Sequence, residues 1–142
     1  MDNNIYNIIN KFDNDREDIN SKIISYINDS KDISNCSDVM VLLLSERQIL
    51  IEYISNINAN IVEIDTLLKV KRKDRYIYYM QDYDLRLDKS QRETFIDSDL
   101  IDDIRLKDIL FNHVNFLKES VATLDKLFFS IKWKLSLKEF EL

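Results

Sequence analysis

Not one of the 142 residues is glycine or proline, and that absence restricts the fold more than any motif does. Tight hairpins need backbone angles that glycine supplies at no steric cost, and proline presets the first corner of many turns. A sheet-rich chain with neither would be hard to connect. Helix interiors need neither residue and are weakened by both. Charged residues make up 32% of the chain, and its apolar residues recur at helical rather than alternating spacing. The expected fold is therefore all-α with polar connections, in a single domain of ordinary size.

The lone cysteine, Cys36, cannot form a disulfide within the chain, and no charged-then-apolar segment at the start resembles a secretory signal. Both point to a reducing cytosol. The longest apolar run, Val39 to Leu44, is far short of the roughly 20 residues that span a bilayer. No membrane partner is expected.

Along the chain, Ile5, Ile8, Ile9 and Phe12 share one helical face, and Ile19, Ile23, Ile24 and Ile27 repeat the pattern beyond Asp13-Asn14-Asp15. This predicts two short helices separated by a polar break. Residues 28–37 are rich in turn and cap types and predict a loop, with Ser37 or Asp38 capping the next helix. The organisation expected is an N-terminal part, residues 1–37, and a helical core, residues 38–142, within one domain.

From about Asp38 to about Asp88 a single long central helix is predicted. Leu43, Leu50, Ile54, Ile57, Ile61, Ile64 and Leu68 alternate by three and four once Arg47 fills its gap, which is a coiled-coil-like seam. The same register then lands on Lys71, Arg75 and Tyr78. Charge placed in a dry helix interface is costly, so this end of the helix is expected to leave its partner for water or a phosphate backbone. Residues 82–103 are polar and acidic and are expected to hold the loop and the start of the last helix. From about Ile104, Leu106, Leu110, His113, Leu117, Leu124, Phe128, Ile131 and Leu135 form a second stripe, widened by Phe116, Val121, Phe129 and Trp133. A helix this apolar must bury two faces, and one of them is expected to meet another subunit.

Charge is distributed unevenly. Residues 69–75 carry five cations against one acid, residues 1–68 carry five against twelve, and the whole chain has a net charge of -6. Three tyrosines, Tyr76, Tyr78 and Tyr79, follow the basic run. Cations beside aromatic rings suit a polyanion with stackable bases. A basic run on a long helix can equally be a solvated face, and the tyrosines can equally be packing residues. No catalytic site is expected. His113 lies on an apolar stripe where a satisfied core or interface histidine is the simpler reading, and one histidine with one cysteine make no metal site. Asp97, Asp99, Asp102 and Asp103 read as caps and dipole partners rather than cation ligands. No phosphate loop is possible without glycine, and no cofactor is expected.

Lys73-x-Arg75-x-x-Tyr78-Tyr79, followed by Asp97-x-Asp99 and then Ile131-Lys132 and Phe140 in the final helix, resembles the UvsY family of phage recombination mediators. The likeness runs from about Leu50 to the end. It implies a non-enzymatic helical protein that assembles into a homo-oligomeric ring of six or seven subunits in the cytoplasm of an infected bacterial host. Such a ring would bind single-stranded DNA and help a RecA-like recombinase load onto strands coated by single-stranded-DNA-binding protein. By the resemblance Lys73 and Arg75 would contact phosphates, with Tyr78 and Tyr79 beside them. The register adds Lys69, Lys71 and Arg72 as supporting cations. The resemblance also implies that Leu124, Phe128, Ile131, Trp133, Leu135 and Phe140 join subunits. The alternative is a viral helical-bundle or coiled-coil interaction adaptor with no nucleic-acid role.

Overall fold

The computed structural model describes residues 3–141, and among them the regular structure is entirely helical. Four α-helices follow one another: α1 (Asn3–Asp29), α2 (Cys36–Ile77), α3 (Lys89–Asp99) and α4 (Ile101–Glu141), with a short 3-10 turn at Ile33–Asn35 and a π turn at Tyr78–Asp82. At 1.5 Å per residue, α2 and α4 are each about 60 Å long.

Cross-helix pairs fix how the helices run. Arg47 meets Asp125, Asp65 meets Lys107 and Lys71 meets Asp103, so α2 and α4 are antiparallel along nearly their whole length. The predicted seam lies between them. Leu43, Leu50, Ile57, Ile61 and Leu68 are buried, and Leu110, Leu117, Leu124 and Ile131 answer from α4. Each such side chain contributes about 1.5 to 3 kcal/mol by burial. Arg47, in the gap of the seam, has its Nε 2.7 Å from Asp125 Oδ1.

Helix α1 is continuous, where two short helices were expected. The supposed break is a face change: Asp13 and Asn14 point to water, while Asp15 turns inward and accepts a 2.5 Å hydrogen bond from the Tyr53 hydroxyl of α2. With that partner the carboxylate needs no turn. Phe12, Ile19 and Ile23 of α1 join the same core as Leu43 and Leu117. The C-terminal end of α1 has no basic residue in its last turn. Lys134 of α4 supplies one, donating to the carbonyls of Ser30 (2.9 Å) and Lys31 (3.1 Å) just beyond it. A cation there satisfies exposed carbonyls and opposes the helix dipole.

The connection to α2 also differs in its caps. Neither Ser37 nor Asp38 is the cap; both lie inside α2, whose N-cap is Asn35, without a side-chain hydrogen bond. The capping chemistry sits one turn earlier, where Asp32 accepts from the backbone and hydroxyl of Ser34. Those two bonds hold the Asp32 carboxyl below its usual range.

The central helix stops near Ile77, about ten residues before the expected end. The π turn widens the last turn, the Tyr83 amide returns to the Tyr78 carbonyl at 3.0 Å, and Tyr83 adopts extended backbone. The acidic stretch expected to hold the loop and the start of the last helix contains a separate helix, α3. Its start carries a capping box, Asp88 accepting from the Gln91 amide while the Gln91 side chain accepts from the Asp88 amide. Ile96 and Leu100 bury against Leu68 and Tyr79, a second small core at this end.

Candidate nucleic-acid interface

The basic run occupies the last two turns of α2, and the acidic residues before and within the start of α4 come to lie against it. Three pairs cross between them. Lys71 Nζ is 2.6 Å from Asp103 Oδ2, Arg72 Nη1 is 2.9 Å from Asp97 Oδ1, and Arg75 Nε is 2.9 Å from Asp99 Oδ2. One turn earlier, Lys69 lies 3.5 Å from Asp65, a carboxylate held more closely by Lys107 at 2.6 Å. Those two lysines, Lys107 first, hold the Asp65 carboxyl below its ordinary value. Lys73 is exposed and makes no ion pair among the described residues.

The register expectation is thus met in position and corrected in environment. Lys71 and Arg75 do continue the seam, but the helix does not leave its partner. Carboxylates from α3 and α4 meet the cations at a half-exposed interface, so the charges are answered rather than released to solvent. Asp102 and Asp103 do stand in the first turn of α4, as dipole partners should. Asp97 and Asp99 stand in the last turn of α3, where a carboxylate gains nothing from the dipole and the arginines account for it.

The paired tyrosines are largely engaged in packing. Tyr79 is buried, and its hydroxyl donates to Asp99 Oδ2 at 2.6 Å. That bond pushes its ionisation above the ordinary tyrosine value. The Arg75 guanidinium lies 4.3 Å from the Tyr78 ring centre and 5.2 Å from that of Tyr79. Its own pKa is raised, first by the contact with the Tyr79 hydroxyl and then by Asp99. Tyr83 and Phe95 pack edge-on or tilted around Tyr79 at 5.2 and 5.8 Å. Arg75, Tyr79 and Asp99 therefore form one connected unit joining α2 to α3.

Helix geometry separates the two motif cations. Two residues at 100° each place Lys73 and Arg75 about 200° apart around α2. One phosphate cannot touch both on the same chain.

At the other end of the molecule, the residues expected at a subunit interface divide. Leu124 and Ile131 are buried in the chain's own core, and Phe128 and Leu135 are half-buried against it. Trp133 and Phe140 face outward, 67% and 90% exposed, joined by Phe129 and Leu137. The four recur at steps of four, four and three and form one stripe on α4.

His113 is in the core, and its polar contact is a long one. It is fully buried, its ring stacks on Phe12 at 3.8 Å and meets Tyr53 edge-on at 5.7 Å, and neither ring nitrogen has a hydrogen-bond partner among the described residues. Asp15 Oδ2 is 3.4 Å from Nε2, close enough for attraction but off the bonding line. Burial pushes the His113 pKa below 6.5, with Asp15 opposing. The same surroundings, burial first and then the bond to Asp15, raise that of Tyr53. Among the described residues, no group of three or more His, Cys, Asp or Glu could hold a metal, and no helix is long and apolar enough to cross a membrane. The chain matches no protein-family model, no curated protein and no solved structure.

Proposed function

We propose that the protein is a non-catalytic recombination mediator of the UvsY type, which binds single-stranded DNA through the basic end of α2. As a homo-oligomeric ring of six or seven copies in the cytoplasm of an infected bacterium, it helps a RecA-like recombinase displace single-stranded-DNA-binding protein. The observation that carries the reading is the collection of five cations in two helical turns, three of them facing partly exposed carboxylates across the helix boundary. Exposed ion pairs are worth about 0 to 1 kcal/mol. A phosphate can therefore take the place of a carboxylate at little cost, with counterion release favouring the exchange.

Oligomerisation is part of the proposal for two reasons. A net charge of -6 makes one copy a poor DNA binder, whereas several patches gathered in a ring act through effective concentration. The opposite placement of Lys73 and Arg75 around α2 also suits a strand that meets them on different subunits. The outward stripe of Phe129, Trp133, Leu137 and Phe140 offers apolar surface for that assembly.

The same stripe, with the acidic charge, favours a second reading, an interaction adaptor that binds another protein through α4 and no nucleic acid. Fluorescence anisotropy with labelled oligo-dT at low and moderate salt, with native mass measured alongside, separates the two. The mediator reading predicts salt-sensitive binding by an oligomer, weakened at least about tenfold by Lys73→Ala/Arg75→Ala. An assembled wild type that does not bind at low salt contradicts it and leaves the adaptor.

A further inference from the structure

A cleft of about 300 Å³ opens between the end of α2 and α3. Arg72 and Tyr76, one turn apart on α2, form one wall. Lys89 and Arg92 of α3 form the other, with Glu93 and Asp97 beside them. Three cations and two acids leave the lining net positive, and one of the acids, Asp97, is already engaged by Arg72.

The ring in this cleft is the available one. Tyr79 is buried and Tyr78 lies under Arg75, but Tyr76 is 47% exposed. The Arg92 guanidinium lies 5.7 Å from its ring centre, anchored by a 3.0 Å bond from Nη1 to the Leu87 carbonyl. The Nε of Arg92 is buried without a hydrogen-bond partner among the described residues. A guanidinium carries five N–H donors in a fixed fork, so beyond the Nη1 bond to Leu87 and the enclosed Nε–H, Arg92 keeps the hydrogens of Nη2 for a ligand. Lys89 is exposed with no ion pair among the described residues. An anion suits such donors, and a flat apolar face suits the ring.

We infer that this cleft seats one nucleotide of a single strand, the base stacked on Tyr76 and a phosphate held by Lys89 and Arg92 with Arg72. The inference rests on the reading that the chain binds single strands and adds the place where a base is gripped. The cavity is at the small end of those that enclose ligands, so it holds one unit and not a run of bases. Lys73, about 100° around the helix from Arg72 on one side, and Arg75, about 60° on the other, are the cations a strand meets on leaving. Lys73 and Arg75 would then serve the backbone, and the cleft would set the register of the strand.

The test uses the full chain and an oligo-dT carrying 5-iodouracil, which crosslinks under light to an aromatic ring stacked on it. The expected result is a crosslink mapped to Tyr76. Anisotropy should show affinity at least about fivefold weaker in Tyr76→Ala, retained in Tyr76→Phe and reduced in Lys89→Glu. Crosslinks confined to other residues, with Tyr76→Ala binding as wild type does, overturn the cleft while DNA binding stands. Absence of any oligonucleotide binding by wild type overturns the DNA reading itself and the cleft with it.

Discussion

Two polar clusters lie on the same pair of long helices and are built in opposite ways. Around His113 the ring itself is dry: the imidazole is fully buried between Phe12 and Tyr53, has no hydrogen bond among the described residues, and has one partly exposed carboxylate, Asp15, within reach. Around Arg75 the polar atoms are wet: cations and carboxylates pair at 2.6 to 2.9 Å with their side chains 28 to 57% exposed. A buried polar group depends on the partners it has, because water cannot replace them. A half-exposed pair can exchange its partner for water or another anion. The first cluster belongs to the fold, and the second is built so that it can exchange partners, as the proposed binding requires.

The largest effect should come from the dry cluster. Phe12→Ala removes the ring that covers His113 and should lower unfolding free energy in urea by about 3 to 5 kcal/mol. A loss below about 1 kcal/mol would mean that α1 is not a working part of the core.

Next is the pH dependence of the same site. Because the folded His113 has its pKa pushed below 6.5, the unfolded chain takes up its proton first as pH falls. Stability is therefore full above pH 6.5 and declines as pH drops from there toward the folded pKa, by about 1 kcal/mol for each pH unit crossed. Asp15, Arg16, Lys11 and Tyr53 face or act on the ring, and Asp15 alone among them moderates the decline. The variant His113→Phe keeps the stack and removes the proton, so its stability in urea should lose that slope. An unchanged slope would place the pH sensitivity elsewhere.

The smallest stability effect is expected in the wet cluster. Asp97→Asn/Asp103→Asn breaks two of the three cross-helix pairs and should cost no more than about 1 kcal/mol per pair. A much larger loss would erase the contrast and make the ion pairs part of the fold.

The long helices were legible in the sequence, because the three-four seam of α2 is the interface with α4, and Leu43, Leu50, Ile57, Ile61 and Leu68 are buried where the register puts them. Local polarity misled. Asp13-Asn14-Asp15 reads as a break only until Tyr53 and His113, about 40 and 100 residues away, supply a reason for Asp15 to be inside. The same holds for Asp97, Asp99 and Asp103, whose arginine and lysine partners lie 24 to 32 residues earlier. Pairs that form only on folding leave no local pattern. Tyr76 was within reach of sequence reasoning, since it stands one turn beyond Arg72 on the same face. Lys89 and Arg92 were not, because nothing in a polar stretch announces that α3 folds back along α2.

The central claim is that carboxylates of α3 and α4 hold the cations that a single strand would otherwise claim. Oligo-dT affinity of Asp97→Asn/Asp103→Asn tests it most directly, set against Asp13→Asn/Asp29→Asn, which makes the same change in net charge at exposed positions of α1. Binding should tighten at least about fivefold in the first pair and much less in the second. Equal gains in both variants, or no gain in the first, would contradict the claim.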